Sequence, residues 1–351
     1  MCGTWGTANE ERLGTQPKVA KLIQVSQLGD YNLGLAEGAV RFWVGVTDWD
    51  WYSLHASAAS VEEVNFWRPS PTAGFSALHP GELFLFKLHA PRNFIAGGAF
   101  FTKFTSLPVS LAWEAFGLGN GARTLEEVRR RISKYRDTPI APGEDPTIGC
   151  ILLEEPFFWP VEDWIDSSPY FSLNIVSGKT YDASFEVGQH LWNEVQERLI
   201  HTRGSVLNPG PAPTAVTANR FGLPQLVFPR LGQGSFRILV TDAYQRRCAM
   251  TGEKTLPVLE AAHIRPYASD GHHEISNGVL LRSDLHTLFD RGYLGIDPDD
   301  LKVMVSPSIK EQFSNGRNYY ALHGMPVALP VDSGLIPSRE NLVYHAENIF
   351  R

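Results

Sequence analysis

Between residues 40 and 164 the chain alternates short apolar, aromatic-rich segments with glycine and proline. These segments are RFWVGVT, GELFLFKLHA, NFIAGGAFF and IGCILLEEPFFW, and their length and punctuation are typical of strands. TLEEVRRRISKYR differs, because Leu125, Val128 and Ile132 recur at helical spacing and Thr124 can cap the helix. The pattern predicts a mostly β N-terminal domain, a curved sheet or partial barrel, interrupted by a helix.

A second amphipathic pattern, SFEVGQHLWNEVQERLI, predicts a helix over Ser184–Ile200. The next segment is rich in proline, glycine and small residues and has no periodicity, which is typical of an interdomain linker. A new unit begins near Ser235 with the helical pattern SFRILVTDAYQRRC. We therefore predict an N-terminal domain over 1–180, a helix and linker over 181–234, and a second domain with a C-terminal extension over 235–351.

Composition supports two folded domains, since 351 residues with 43% hydrophobic content exceed one ordinary core. An apolar run of about 18 residues and a signal-peptide pattern are both missing, so we expect a cytoplasmic protein without a membrane partner. The three cysteines are too few and too far apart for a disulfide framework. The net charge of −7 argues weakly against a nucleic-acid partner, but arginines cluster locally, at 129–131 and at 246–247.

Polar groups with catalytic potential gather in one segment of the second domain. VLEAAHIRPY reads as a strand that delivers His263, and after a polar loop Asn277 begins a second strand. The helix that follows carries His286 and Asp290 four residues apart, hence on one face. A neutral imidazole as general base, an amide that orients it and a divalent ion would together hydrolyse a phosphodiester. Taken singly, a strand histidine is usually a satisfied polar residue and an Asn-Gly pair usually forms a turn.

This segment resembles the HNH endonucleases, in the subgroup classed with restriction endonucleases. The residues that carry the resemblance are CAMTGE, LEAAHIRPY and ISNGVLLRSDLHTLFDRGYLGID. The resemblance spans about 235–305 and implies a ββα-metal fold. It also implies that His263 is the general base, that Asn277 orients it, that His286 is a metal ligand, and that Asp290 is a further ligand.

Two departures from the family pattern concern the metal. Ala262 stands where many members place a ligand, and Glu260 is a possible substitute on the same strand, or else a supporting or structural group. Cys248 has no partner cysteine nearby, which indicates a buried rather than a ligating thiol. The expected cofactor is Mg²⁺ or Mn²⁺, with Zn²⁺, Ni²⁺ or Co²⁺ as further options.

The predicted contacts to the DNA backbone are Arg246, Arg247 and Arg265.

The N-terminal domain has several tryptophans among polar residues rather than inside apolar runs. Its segments FWVGVTDWDWYSLH, EEVNFWRPS and GELFLFKLHAPRNFIAGGAFF look like the EVE branch of the PUA-like superfamily, which includes readers of modified bases. Most aromatic residues must be core, but some could stack a flat ring while polar neighbours bond its edge. The predicted base pocket consists of Asp48, Trp49, Asn65, Trp67 and Trp113.

Together these features predict an α+β protein with a barrel-like PUA-like (EVE) domain and a C-terminal HNH domain. The predicted function is that of a modification-dependent DNA endonuclease, similar to type IV restriction enzymes, which flips and reads 5-methylcytosine or 5-hydroxymethylcytosine in double-stranded DNA. One HNH site cuts one strand, so double-strand cleavage predicts a homodimer or two binding events. Three alternatives stay open: an HNH nuclease or nickase independent of modification, a catalytically weak modification sensor, and a metal-stabilised fold without chemistry.

Overall fold

The computed structural model describes residues 40–58, 61–71, 74–136, 138–172, 174–204, 232–269, 271–314 and 316–351. Most of the predicted linker, and the N-terminal segment before residue 40, lie outside these residues. The described chain is a mixed α+β fold, as predicted, with a large sheet followed by a smaller hairpin-and-helix unit. Within these ranges no helix is long and apolar enough to cross a membrane.

The N-terminal unit is built on one mixed sheet. Its strands are β1 (Arg41–Thr47), β2 (Glu63–Arg68), β3 (Leu83–Leu88), β4 (Phe94–Pro108), β5 (Thr147–Phe158), β6 (Ile165–Asp166) and β7 (Gly178–Asp182). Their order is β2-β5-β4-β3-β1-β7, with β6 paired to β4. β1 and β3 are parallel, and the other pairs are antiparallel. Apolar cores lie against this sheet, because its strands carry buried side chains on both faces.

The sheet is open, as in a curved sheet or partial barrel, and it does not close into a barrel. Its edge strands β2 and β7 do not pair with each other in the described chain. Beside β2, the Asn120 side-chain oxygen accepts a hydrogen bond from Asn65 Nδ2 at 2.9 Å, and its backbone oxygen accepts one from Trp67 Nε1 at 3.1 Å.

Helices cover the sheet: α1 (Trp49–Ala56), α2 (Val109–Phe116), α3 (Leu125–Lys134) and α4 (Glu186–Gly204). The predicted helix after Thr124 is confirmed, and the Thr124 hydroxyl accepts the Glu127 N–H at 3.2 Å. The segment DWDWYS, where the sequence pattern predicts no helix, contains the start of α1. It is helical because Trp51 and Tyr52, adjacent in sequence, both pack into the core, where they are 5% and 3% exposed.

The second unit begins with α5 (Gln233–Ala243), followed by the antiparallel hairpin of β8 (Leu259–His263) and β9 (Gly278–Arg282). The next helix, α6 (Ser283–Asp290), packs on this hairpin through the buried Leu285 and Phe289. The remaining elements are β10 (Leu294–Ile296), β11 (Val303–Val305), α7 (Ser308–Phe313), α8 (Arg317–Tyr320) and α9 (Arg339–Asn348). Strand, loop, strand and helix thus follow in the predicted order.

Helix α5 packs against both units. At its N-terminus the Glu63 carboxylate of β2 accepts the backbone N–H groups of Gly234 at 2.6 Å and Ser235 at 2.8 Å. These are N–H groups that an isolated helix leaves without partners, and a negative charge favours the positive end of the helix dipole. Ile238 joins the apolar core of α2, α3 and β5, whereas Phe236 belongs to the core of the second unit.

Candidate active site

His263 is the last residue of β8, at the end of the hairpin where the connecting loop begins. Its ring lies against Phe236 of α5, with centroids 4.0 Å apart and an interplanar angle of 9°. Burial, together with the nearby imidazoles of His273 and His286, lowers the pKa of His263 to about 4. The imidazole is therefore neutral at pH 7, which a general base requires.

Asn277 is buried, and its side chain bonds the backbone of the loop between the strands. Oδ1 accepts the Arg265 N–H at 2.9 Å, while Nδ2 donates to the backbone oxygens of Arg265 at 2.9 Å and His272 at 3.0 Å. These contacts occupy the amide, so it does not orient the His263 ring as predicted. Asn277 instead fixes the path of the loop.

A second imidazole, which the sequence analysis did not select, contacts the first. His263 Nε2 and His273 Nδ1 are 2.9 Å apart. The His273 ring also stacks on Tyr267, with centroids 4.7 Å apart. Burial lowers the pKa of His273, and the Glu62 charge opposes this shift. The sequence does contain a signal for His273: it is one of the two adjacent histidines in GHHEISNG, in the loop whose backbone Asn277 bonds.

His286 lies between two carboxylates. Its Nδ1 is 2.6 Å from Glu260 Oε2 of β8, and its Nε2 is 3.3 Å from Asp290 Oδ2, one turn further along α6. The two carboxylates therefore meet different nitrogens of one ring. Ligands of a single ion must converge on one point, so Glu260 and Asp290 cannot both act beside the same His286 nitrogen in this arrangement.

The donor set of His286 and Asp290 fits one divalent cation, which HNH endonucleases generally require. His286 Nε2 and Asp290 Oδ2 face each other and would hold it, while Glu260 on Nδ1 would fix the tautomer and angle of the ring. No group of three or more His, Cys, Asp or Glu side chains is arranged as a metal site in the described chain. Ala262 is buried in the core, so that position offers nothing to the cation. Cys248 is buried and free, as predicted.

The three arginines predicted to contact DNA have different surroundings. Arg246 donates from Nη2 to the Ser106 backbone oxygen at 2.8 Å, so it braces the two units. Arg265 donates from Nε to the Ser269 oxygen at 2.7 Å, and its guanidinium lies over Tyr344. Arg247 is exposed.

In the N-terminal unit a cavity of about 200 Å³ is lined by aromatic side chains together with charged and aliphatic ones, Arg68 and Arg131 among them. Asp48 and Trp67, two of the predicted pocket residues, line it together with Trp43, Trp51, Phe66 and Tyr135. The Asp48 carboxylate accepts the Tyr135 hydroxyl at 3.1 Å and lies 3.5 Å from His89 Nε2. Burial raises the pKa of Tyr135, and the Asp48 charge adds to this. The cavity thus combines flat apolar walls with a carboxylate.

The other predicted pocket residues lie elsewhere. Asn65 is fully buried and its amide is bonded to that of Asn120. Trp113 packs on the core of α2 and α3. Trp49 is covered by the Arg92 guanidinium, 3.8 Å from its ring centroid. A second, wider depression, lined by Phe75, Phe101, Lys103 and Phe104 among others, holds none of the predicted residues.

His263, His286 and Asp290 lie on one hairpin and the helix that follows it, which is the order of elements in a ββα unit. Residues 248–297, which contain β8, β9 and α6, match the family model described as HNH endonuclease, and this segment is an HNH endonuclease domain. Among solved structures, ASCH from Zymomonas mobilis is similar at 13% identity and a TM-score of 0.30, over 43% of this chain and 94% of its own. The modification-dependent TagI restriction endonuclease is similar at 13% identity and a TM-score of 0.24, over 83% of this chain and 77% of its own. Comparison with curated protein sequences finds no match.

Proposed function

We propose that the protein is a modification-dependent DNA endonuclease of the type IV kind. Its HNH domain hydrolyses a phosphodiester, and its N-terminal domain selects DNA that carries a modified cytosine. The observation that carries the nuclease part is a neutral imidazole, His263, held in the same hairpin-and-helix unit as the facing pair of His286 and Asp290. We place the domain boundaries at 1–180, 181–234 and 235–351.

In this proposal His263 accepts a proton from the attacking water. The water oxygen forms a bond to phosphorus while the opposite P–O ester bond breaks, and the leaving oxygen takes a proton from solvent. A divalent cation held by His286 and Asp290 would offset negative charge on the phosphate and the leaving oxygen. The mixed nitrogen and oxygen donors suit Mn²⁺, Zn²⁺, Ni²⁺ or Co²⁺ as well as Mg²⁺.

The aromatic cavity is the proposed reader. Extruding a base costs a few kcal/mol, and stacking on aromatic side chains returns about 1–3 kcal/mol per base. The Asp48 carboxylate can accept hydrogen bonds from the amino group of cytosine, while Trp67 and its aromatic neighbours offer faces for stacking. A 5-methyl or 5-hydroxymethyl group would then gain further apolar contact. Because one HNH site cuts one strand, a homodimer would cut both.

The test is cleavage of matched duplexes with unmodified cytosine, 5-methylcytosine or 5-hydroxymethylcytosine, in Mg²⁺ or Mn²⁺. We expect the modified duplexes to be cut and His263→Ala to lose cutting. Equal cutting of all three would exclude a modification reader and leave an unselective nuclease. Cutting by the His263→Ala variant would remove His263 as the base. Binding of modified DNA without cutting under any condition would instead identify a sensor.

The cavity is tested separately with two matched tryptophan variants. Trp67→Ala removes a wall of the cavity, whereas Trp49→Ala removes a tryptophan outside it. We expect Trp67→Ala to reduce the binding preference for modified DNA about tenfold, the loss of roughly one stacking contact. Trp49→Ala should keep the preference. If both variants behave alike, the cavity is not the reader.

A further inference from the structure

The contact between His263 and His273 determines which nitrogen of His263 is free. A neutral imidazole carries one N–H donor and one lone-pair acceptor. His263 Nε2 and His273 Nδ1 are 2.9 Å apart, so one of these two atoms donates and the other accepts. The two possible directions leave His263 in different tautomers.

Only one direction leaves His263 able to take a proton. If His273 donates, the Nε2 lone pair of His263 is occupied and its Nδ1 carries the proton, so the ring has no free acceptor. If His263 donates from Nε2, its Nδ1 lone pair is free. We propose that His273 is a positioning residue that accepts the Nε2–H of His263, so that Nδ1 of His263 is the atom that takes the proton of the attacking water. This assignment rests on the proposed nuclease function.

The packing holds both rings in place for this hydrogen bond. Phe236 covers one face of His263 at 4.0 Å, and Tyr267 stacks on His273 at 4.7 Å with an interplanar angle of 14°. Each ring therefore has its plane fixed by an aromatic neighbour. An imidazole held in this way loses little freedom when the hydrogen bond forms, which is the purpose of a pre-organised supporting group.

The loop that carries His273 is fixed as well. Asn277 bonds the backbone at Arg265, two residues after His263, and at His272, next to His273. Its side chain thus joins the two segments that bear the imidazoles. Asn277 positions the loop, and His273 positions the ring, so the orienting role expected of the amide is divided between two residues.

Both imidazoles are also uncharged at neutral pH, as the hydrogen bond requires. Burial lowers the pKa of each, and their mutual repulsion lowers that of His263. The other charged groups that act on the pair are His286 on His263, and Glu62 and His272 on His273. Two imidazolium ions at this distance would repel each other, so the neutral pair is the stable state.

Two variants of the full-length protein distinguish the effect of the hydrogen-bond acceptor of His273 from the effect of its ring. His273→Asn keeps an acceptor oxygen near the position of Nδ1 but removes the ring. His273→Phe keeps the ring on Tyr267 but removes the acceptor. His272→Asn changes the exposed neighbouring side chain and serves as the matched control. The tautomer of His263 is read by NMR of ¹⁵N-histidine-labelled protein, with its signals assigned from their loss in His263→Gln.

We expect a protonated Nε2 and an unprotonated Nδ1 on His263 in the wild type, His273→Asn and His272→Asn. In His273→Phe the two tautomers should mix, and kcat on the best-cut duplex should fall in proportion to the remaining fraction of His263 that is protonated on Nε2, with KM unchanged. A His273→Phe variant with wild-type tautomer and kcat overturns the proposal. Equal losses of kcat in His273→Asn and His273→Phe overturn it too, since the ring and not the acceptor would matter.

The NMR measurement does not depend on cleavage. If the wild type cuts no duplex, the proposed function fails, yet the tautomer of His263 in the variants still decides whether His273 accepts its proton. A wild-type His263 protonated on Nδ1 would overturn the assignment even if the enzyme cuts DNA.

Discussion

The ring of Phe236 lies parallel to the ring of His263, with centroids 4.0 Å apart. Phe236 belongs to α5, the helix whose N-terminal N–H groups are bound by the Glu63 carboxylate of the N-terminal sheet. The proposed general base is therefore covered by the same helix that joins the two units. Removal of water from one face of the imidazole thus depends on the position of α5.

Replacing Phe236 with Leu should raise the pKa of His263 from about 4 toward its ordinary value of 6.5, because burial is the largest cause of the shift. Unfolded chain binds this proton near pH 6.5 and folded chain near pH 4, so the stability that neutral His263 contributes is lost as pH falls across that range. The variant should lose less stability on acidification, while its overall stability falls by about 1–2 kcal/mol. Histidine NMR titration and urea unfolding measure both effects.

Phe289→Leu is the matched control, since Phe289 stacks on His345 with centroids 3.8 Å apart in the same unit. It should cause a comparable loss of stability and raise the pKa of His345, which burial lowers to about 4. His263 should titrate as in the wild type. A pKa of His263 that stays near 4 in Phe236→Leu would show that the repulsion from His273 and His286, and not burial, dominates.

Changing Asn277 to Asp should loosen the loop between β8 and β9. The substitution replaces the Nδ2 donor with an acceptor that faces the backbone oxygens of Arg265 and His272. Two buried carbonyls then lose their partner and meet a negative charge, which costs about 1–3 kcal/mol for each unsatisfied group. Amide hydrogen exchange should become faster for Arg265 N–H and its neighbours.

Asn348→Asp is the control for the Asn277 variant, because Asn348 bonds a backbone oxygen at an exposed helix end. It should leave the exchange rates of the loop unchanged. Slow, wild-type exchange in Asn277→Asp would mean that the loop holds its path without this amide.

Because the carboxyl of Glu154 is buried, the protein should lose stability as the pH rises into the alkaline range. Glu154 is fully buried on β5 opposite Glu63 of β2, and burial, with the Glu63 charge adding to it, raises the pKa to about 9. The folded chain therefore holds a proton that the unfolded chain releases near pH 4.5. The stability that the protonated group contributes is full below pH 4.5 and is lost as pH rises through about 9.

Glu154→Gln keeps the shape of the acid and cannot ionise. Relative to the wild type it should gain stability steadily from pH 4.5 to 9 in urea unfolding, whereas Glu162→Gln, at an exposed position, should not. A constant difference across this range would contradict a protonated Glu154.

The sequence predicted the elements whose signal is local. Thr124 and the apolar positions after it predict α3, because cap and periodicity lie within a few residues of each other. The order of β8, β9 and α6 likewise follows from patterns contained in one segment. Helix α1 was missed because Trp51 and Tyr52 bury adjacent positions, and only the neighbouring sheet makes that possible.

The sequence could assign each site residue to a strand or helix, but it could not show which side chains contact each other. The sequence gives no sign that Asn65 is bonded to Asn120, which lies 55 positions away, so the sequence alone predicts it as a pocket residue. The stacking of Phe236 on His263 depends in the same way on how α5 packs. Glu260 was considered a ligand or a supporting group, and only the position of the His286 ring separates the two roles.

The two carboxylates beside His286 should affect metal affinity to different extents. Asp290 faces Nε2 and would be a ligand, so Asp290→Ala should abolish Mn²⁺ binding in calorimetry. Glu260 bonds Nδ1 at 2.6 Å and would orient the ring, so Glu260→Gln should weaken binding about 10- to 100-fold without abolishing it. Asp299→Asn, on the surface near Arg339, serves as the control and should bind as the wild type does. The reverse ranking, in which Glu260→Gln abolishes binding and Asp290→Ala spares it, would make Glu260 the ligand and place the cation on the Nδ1 side of the ring.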